Sequence, residues 1–356
     1  MSLVLNNARV VLPDRVIDAG SVVVEDGRIA AVSETSSAGG MDLSGMVLLP
    51  GFIDVHLHGS IGIDVMDATA NQLTEISEFL ATQGITGWLP TFVPAADENY
   101  ASAVDAIAQA AQHSTGARVL GVHYEGPFVN SAQCGALHTE YFKTYSGPGD
   151  VDRLPVPAGL LRMTTLAPEI EGGVDLVREL SSRGWVISIG HTRASLDVLD
   201  RAFEAGARHM THFMNAMAPL HHRAPGPIAW GLSHDDVTCD VIADGIHLDP
   251  FMLRLLLKVK SERGITLISD AIAAAGRGDG DYQIWGETIR VKDGRTSNAA
   301  GSIAGSVITM LDAVRLMHSL GVSHLHLAQM AATNPARLLG LDAECGSIEA
   351  GKRADL

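Results

Sequence analysis

Apolar residues in this chain gather into short runs that stop abruptly at a histidine or an acid. The first clear run, Val47-Leu48-Leu49-Pro50-Gly51-Phe52-Ile53-Asp54-Val55, ends in His56-Leu57-His58. Comparable runs predict strands over 51–58, 85–93, 118–125, 162–167, 185–190, 207–212, 237–243 and 265–270, with room for a crossover helix in nearly every gap. The helices carry their own signals. Thr69 with Gln72 forms a capping box, Leu73, Ile76, Phe79 and Leu80 give one buried face, and Gly84 ends the helix. Asp249 followed by Pro250 starts another, closed by Gly264 after Arg263. Strand-then-helix alternation predicts a parallel sheet, and eight repeats predict an α/β fold of the (β/α)8 TIM-like barrel type, whose site lies at the strands' C-terminal ends.

The two ends of the chain follow a different pattern. Residues 3–47 read as short strands with turns at Pro13-Asp14, Glu25-Asp26-Gly27 and Gly39-Gly40, and Gly346-Ser347-Ile348-Glu349-Ala350-Gly351 has the same character. We expect a small β-sandwich domain formed by both termini, 1–48 and 341–356, beside a barrel over 49–340. The C-terminal part reads as incomplete, because an apolar strand is due where Gly351-Lys352-Arg353-Ala354-Asp355-Leu356 stops. A hairpin-like segment over 282–291, with Lys292-Asp293-Gly294 as a turn, follows the last barrel strand.

Composition narrows the function. Of the 356 residues 46% are hydrophobic and 19% charged, enough for a large core. The formal net charge of −16 repels nucleic acid and anionic membranes, but leaves room for a small anion in a local positive pocket. No apolar run reaches 18 residues, so no membrane span is expected, and the N-terminus lacks the charged lead and apolar stretch of an export signal. Cys134, Cys239 and Cys345 are odd in number and widely spaced, which predicts no disulfide framework and a cytoplasmic setting.

The chemistry sits at the ends of the runs. Residues two apart on a strand face the same side, so His56 and His58 can share a metal ion. Glu125, His191, His212 and Asp270 close later runs and add imidazole and carboxylate donors to the same rim. A buried glutamate is costly without a partner, and a metal supplies one. Mixed donors of this kind accept Zn, Fe, Mn or Co. A bound ion lowers the pKa of water, and Asp270 is placed to move the proton, which is equipment for hydrolysing an amide or ester. Asp270 read alone is a helix cap. His209, two residues before the loop that His212 enters, reads as structural. Arg223 carries a planar fork suited to phosphate, in the loop His221-His222-Arg223 after the sixth predicted strand.

These residues resemble a known family, the amidohydrolase superfamily, and within it the N-acetylglucosamine-6-phosphate deacetylases. The likeness is carried by Pro50-Gly51-Phe52-Ile53-Asp54-Val55-His56-Leu57-His58-Gly59, His123-Tyr124-Glu125-Gly126-Pro127-Phe128, Leu166-Ala167-Pro168-Glu169 and Gly190-His191-Thr192. It continues through Thr211-His212-Phe213-Met214-Asn215-Ala216-Met217, Asp244-Gly245-Ile246-His247 and Ser269-Asp270-Ala271.

The resemblance implies removal of acetate from the 2-acetamido group of a 6-phosphorylated amino sugar, in amino-sugar catabolism and cell-wall recycling. It implies Glu125, His191 and His212 as metal ligands, His56 and His58 as ligands of a second ion, and Asp270 as the catalytic acid and base. His247 and Arg223 are implied as phosphate and sugar contacts, assisted by Asn215 and Ala216, and a homodimer is implied as the assembly. One departure stands out. The family's Lys-Gly-Ala-His run is here Cys134-Gly135-Ala136-Leu137, with His138 one place later as the candidate sugar contact. The galactosamine epimer is an alternative substrate. Cyclic amidases of the superfamily fit less well, because the fourth strand offers no lysine to bridge the metals. A scaffold without chemistry would have dropped ligands that this chain keeps.

Overall fold

The computed structural model describes residues 2–37, 39–112 and 115–356. Eight parallel strands follow one another round a barrel: Phe52–Leu57, Ile85–Phe92, Gly121–Glu125, Leu161–Leu166, Val186–Ile189, His209–Met210, Thr238–Ile242 and Ile265–Ile268. A short ninth strand, Arg118–Val119, pairs with the second. The ring closes between the eighth and first strands through the Leu57–Ala271 bridge, where Asp270 N donates to His56 O and His58 N to Ala271 O. This is the TIM-like architecture that the alternating pattern predicts.

The helices form where their signals stand. Ala70–Thr82 has both halves of the Thr69–Gln72 capping box, and its Leu73, Ile76 and Leu80 are buried. Pro250–Lys260 starts at the Asp249 cap and stops at Lys260, earlier than Gly264, because Ser261 turns left-handed at φ 59°. Trp88, Tyr100, Tyr124 and Leu176 belong to one large apolar cluster that joins strands to surrounding helices.

The N-terminal strands Ser2–Val11, Val16–Glu25 and Arg28–Ser33 make an antiparallel meander within a five-stranded sheet. Its apolar cluster of Leu5, Val10, Val22 and Ile29 also takes in Ile348, with Ala354 and Leu356 packed against it. Arg28 forms an antiparallel bridge with Arg353, which sets residues near 353 against the N-terminal sheet. After the eighth barrel strand comes a three-stranded sheet, Gly280–Ile284, Glu287–Lys292 and Arg295–Ser297. Its second turn is the one read at Asp293-Gly294; its first, at Trp285-Gly286, escaped the sequence reading. Among the described residues no helix is long and apolar enough to cross a membrane.

Candidate metal centre

Five predicted ligands and the predicted acid meet at the C-terminal rim of the barrel. The first strand brings His56 and His58, whose Nε2 atoms lie 3.1 Å apart, as a two-residue repeat demands. Glu125 ends the third strand, and its Oε1 is 2.9 Å from Nε2 of both His191 and His212. Its Oε2 is 3.3 Å from His58 Nε2. Asp270 Oδ1 stands 3.4 Å from His56 Nε2 and 3.3 Å from His58 Nε2. All six side chains are buried. Two triplets, His56–His58–Glu125 and Glu125–His191–His212, each gather their ligand atoms closely enough to surround one ion, with Glu125 common to both.

Backbone geometry helps to aim these groups. His191, His212 and Asp270 have φ of 48°, 30° and 51°, left-handed values that non-glycine residues seldom adopt and that cluster at functional sites. Ser306 N donates to Asp270 O at 2.7 Å and Asn130 N to His191 O at 3.1 Å, holding two of these bends. Beneath the rim, Asp54 accepts from Ser269 Oγ at 2.6 Å and from the backbone N of His56 and Ser269, tying the first strand to the eighth. Burial raises its carboxyl to about 7.

The donor set fits a cation on electrostatic grounds. His58 Nδ1 faces Thr91 O at 3.0 Å and His191 Nδ1 faces Gln133 O at 2.8 Å. A carbonyl only accepts, so both Nδ1 atoms carry a proton, and each ring turns its Nε2 toward a carboxylate oxygen. A cation shared between the rings and the carboxylates, either a proton on the imidazole or a metal ion in its place, satisfies that arrangement. Without a metal ion, a proton takes that place. Burial depresses His58, yet hydrogen bonds to Asp270 and Glu125 overcome it and pull the ring up to about 10. Burial likewise pushes Glu125 up, but the imidazoles of His191 and His212 hold it well below the usual carboxylate range. The chain thus fits a divalent ion at either triplet.

Above the centre is a cavity of about 290 Å³, lined by His58, Glu125, His191, His212 and Asp270 together with Asn215, Ala216 and His247. His247 Nδ1 is 2.7 Å from Asp244 Oδ2, and Asp244 also accepts from the backbone of Ile246 and His247. Burial raises Asp244, but its bond to His247 outweighs that and holds it ionised. Two predicted contacts are not brought in. Arg223 lies on an exposed loop with Nη1 2.7 Å from His222 Nε2, and His138 turns toward Glu140, 3.3 Å away; neither lines the cavity. Gly135, Ala136 and Leu137 line it instead.

Several contributors escaped the sequence reading. Asp54 shares the parity of His56 and His58, a signal that was available. His123 bonds Val55 O at 2.8 Å through Nδ1 and Thr165 Oγ1 at 2.8 Å through Nε2, and burial lowers it to about 4, so it stays neutral. Trp285, Ile242 and Ile303 line the cavity without any mark in the sequence. His209 is structural as expected, fully buried with Nε2 2.8 Å from Asp240.

Comparison with known proteins places this geometry. The model of the amidohydrolase family matches residues 47–356. The N-acetylglucosamine-6-phosphate deacetylase of Bacillus subtilis (strain 168) is 37% identical, covering 100% of this chain and 92% of that protein. The N-acetylgalactosamine-6-phosphate deacetylase of Escherichia coli O157:H7 is 36% identical over 100% of this chain and 94% of its own length. An alanine variant of the N-acetyl-D-glucosamine-6-phosphate deacetylase of Mycobacterium smegmatis, in complex with N-acetyl-D-glucosamine-6-phosphate, superposes with a TM-score of 0.91. It is 30% identical, and the match covers 99% of this chain and 93% of that one. The chain belongs to the amidohydrolase family.

Proposed function

We propose that this chain is an enzyme that removes acetate from N-acetyl-D-glucosamine 6-phosphate, leaving D-glucosamine 6-phosphate. The observation that carries the reading is the convergence of four imidazole Nε2 atoms on Glu125, with the Asp270 carboxylate 3.3–3.4 Å from two of them. Deacetylases at 37% and 36% identity over the whole chain supply the substrate class.

His56, His58 and Glu125 would hold one ion, and Glu125, His191 and His212 another, with Zn, Fe, Mn or Co all compatible with the donors. When bound, such ions polarise the amide carbonyl and acidify water. The chain's residues do the rest. Asp270, 3.3–3.4 Å from His58 and His56, takes the proton of the attacking water and returns it to the departing nitrogen. An amine leaves poorly unless protonated, so this shuttle matters as much as the ligands. His247 is oriented by Asp244 and presents its other ring nitrogen to the phosphate, while Asn215 and Ala216 line the sugar's side.

Arg223 stands outside the cavity of its own chain, which supports a homodimer in which this arginine serves a neighbouring site. Its loop adjoins an apolar hollow of about 300 Å³, lined by Met217, Leu220, Met252, Leu255 and Val259 among others. Leu220 is 53% and Val259 48% exposed, more apolar surface than a lone subunit needs. Residues 1–48 with 341–356 are taken as one small domain and 49–340 as the catalytic one, supported by the shared cluster around Ile348. Three free thiols support a cytoplasmic setting.

Acetate release from N-acetylglucosamine 6-phosphate, its galactosamine epimer and the unphosphorylated sugar, with metals added back to chelated protein, tests the proposal. Turnover on neither phosphorylated epimer overturns it. A higher rate on the galactosamine epimer favours the second reading, which the Escherichia coli relative supports. Equal efficiency with and without the phosphate would remove His247 and Arg223 from their roles.

A further inference from the structure

Trp285 has no part in the reaction as derived, yet it stands beside a metal-ligating side chain. It occupies the turn between Gly280–Ile284 and Glu287–Lys292, where φ is 53° at Trp285 and 77° at Gly286. Both signs suit a two-residue hairpin turn, but a bulky residue is unusual at the first position. The indole is carried to the cavity wall, edge-on to the His58 ring with centroids 5.3 Å apart and planes at 81°. An apolar cluster of Ile272, Ile284, Ile289 and Ala304 backs it, and Ala136 from the facing loop packs on the same cluster.

The cavity therefore has two unlike ends. Of its polar lining beyond the ligands and Asp270, Asn215 and His247 follow the sixth and seventh strands, and Ser302 follows the eighth. The wall over the first strand's His58 is aromatic. An amide under attack must sit between the two ligand triplets and Asp270, with nitrogen and sugar on one side of the carbonyl and the acyl chain on the other. With the phosphosugar at Asn215 and His247, the acyl chain faces the indole.

Building on the deacetylase reading, we propose that Trp285 closes the acyl end of the site and restricts the enzyme to acetyl-sized groups. It is a specificity-determining residue, with no role in moving protons or holding metal.

The test compares kcat/KM on N-acetyl- and N-butyryl-glucosamine 6-phosphate, read by release of the free amine so that both acyl groups are scored alike. Wild-type protein is expected to favour acetyl by at least about 10-fold. Trp285→Ala should reduce that preference by about 10-fold, and Trp285→Leu should shift it the same way by less. Damage to folding or metal content lowers both substrates together and leaves the ratio unmoved. An unchanged ratio in active Trp285→Ala or Trp285→Leu protein overturns the proposal. So does wild-type turnover of the butyryl substrate within about threefold of acetyl, a result that needs no variant. Acetate release from neither acetylated epimer by the wild type would remove the deacetylase reading itself, and this proposal with it.

Discussion

In the proposed mechanism Asp270 is the side chain whose loss should separate chemistry from binding, because it faces His56 and His58 from a strand end and shares no triplet. Asp270→Asn keeps the shape and removes the proton acceptor. Turnover should fall by about 10²–10⁴-fold while elemental analysis still finds metal; near-normal turnover would take the residue out of the mechanism. Glu125→Gln should behave differently, losing metal from both triplets and activity with it. At this scale the converging side chains were legible because each ended an apolar run, and period-two spacing paired His56 with His58. Trp285 was not legible, because it acts from a turn where nothing in Ile284-Trp285-Gly286 marks a residue that reaches a cavity. Arg223 shows the converse limit: its chemistry was readable, but its place on an exposed loop outside the cavity lining was not.

Elements were located more securely than their ends. The sequence predicts strands through 190, 212, 243 and 270, whereas the ladders stop at Ile189, Met210, Ile242 and Ile268. At His191, His212 and Asp270 the cause is physical: each adopts positive φ to aim its side chain, and a residue so bent leaves the pleat. Close approach explains another break. A Cβ at Gly121 would lie 2.3 Å from Leu161 O, where the third and fourth strands meet. Gly121→Ala should therefore destabilise by about 1–3 kcal/mol, seen as a lowered midpoint in thermal or urea unfolding. Thr69→Ala removes the hydroxyl that accepts from Gln72 N, the side-chain half of the capping box on Ala70–Thr82, and should cost about 0.5–2 kcal/mol, with kcat unchanged because that cap lies outside the cavity lining.

Across the whole molecule, alternation of strands and helices gave the barrel, since its periodicity is local. The terminal unit was harder, because it depends on contacts more than three hundred residues apart, such as Arg28 Nη1 with Gly351 O at 2.7 Å. Those contacts leave only turn signals in the sequence. Arg118, beside the second barrel strand, holds Asp355 Oδ1 at 3.0 Å and so fastens the chain's end to the barrel. Metal removal acts on the same scale. Strand ends that converge on unbalanced donors should be steadied by a cation, so chelation should lower the melting temperature and Zn²⁺ at about 100 times its dissociation constant should restore about 2.7 kcal/mol. A melting curve indifferent to chelator and to added metal would contradict the fit.

Glu125 belongs to both triplets, and a single negative charge cannot be given in full to two dications. A first ion held by Glu125 would draw electron density out of the shared carboxylate and leave a poorer donor for a second. Calorimetric titration of the stripped protein should accordingly resolve two unequal steps, the later one weaker, and growth on scarce metal would leave a population carrying one ion per chain.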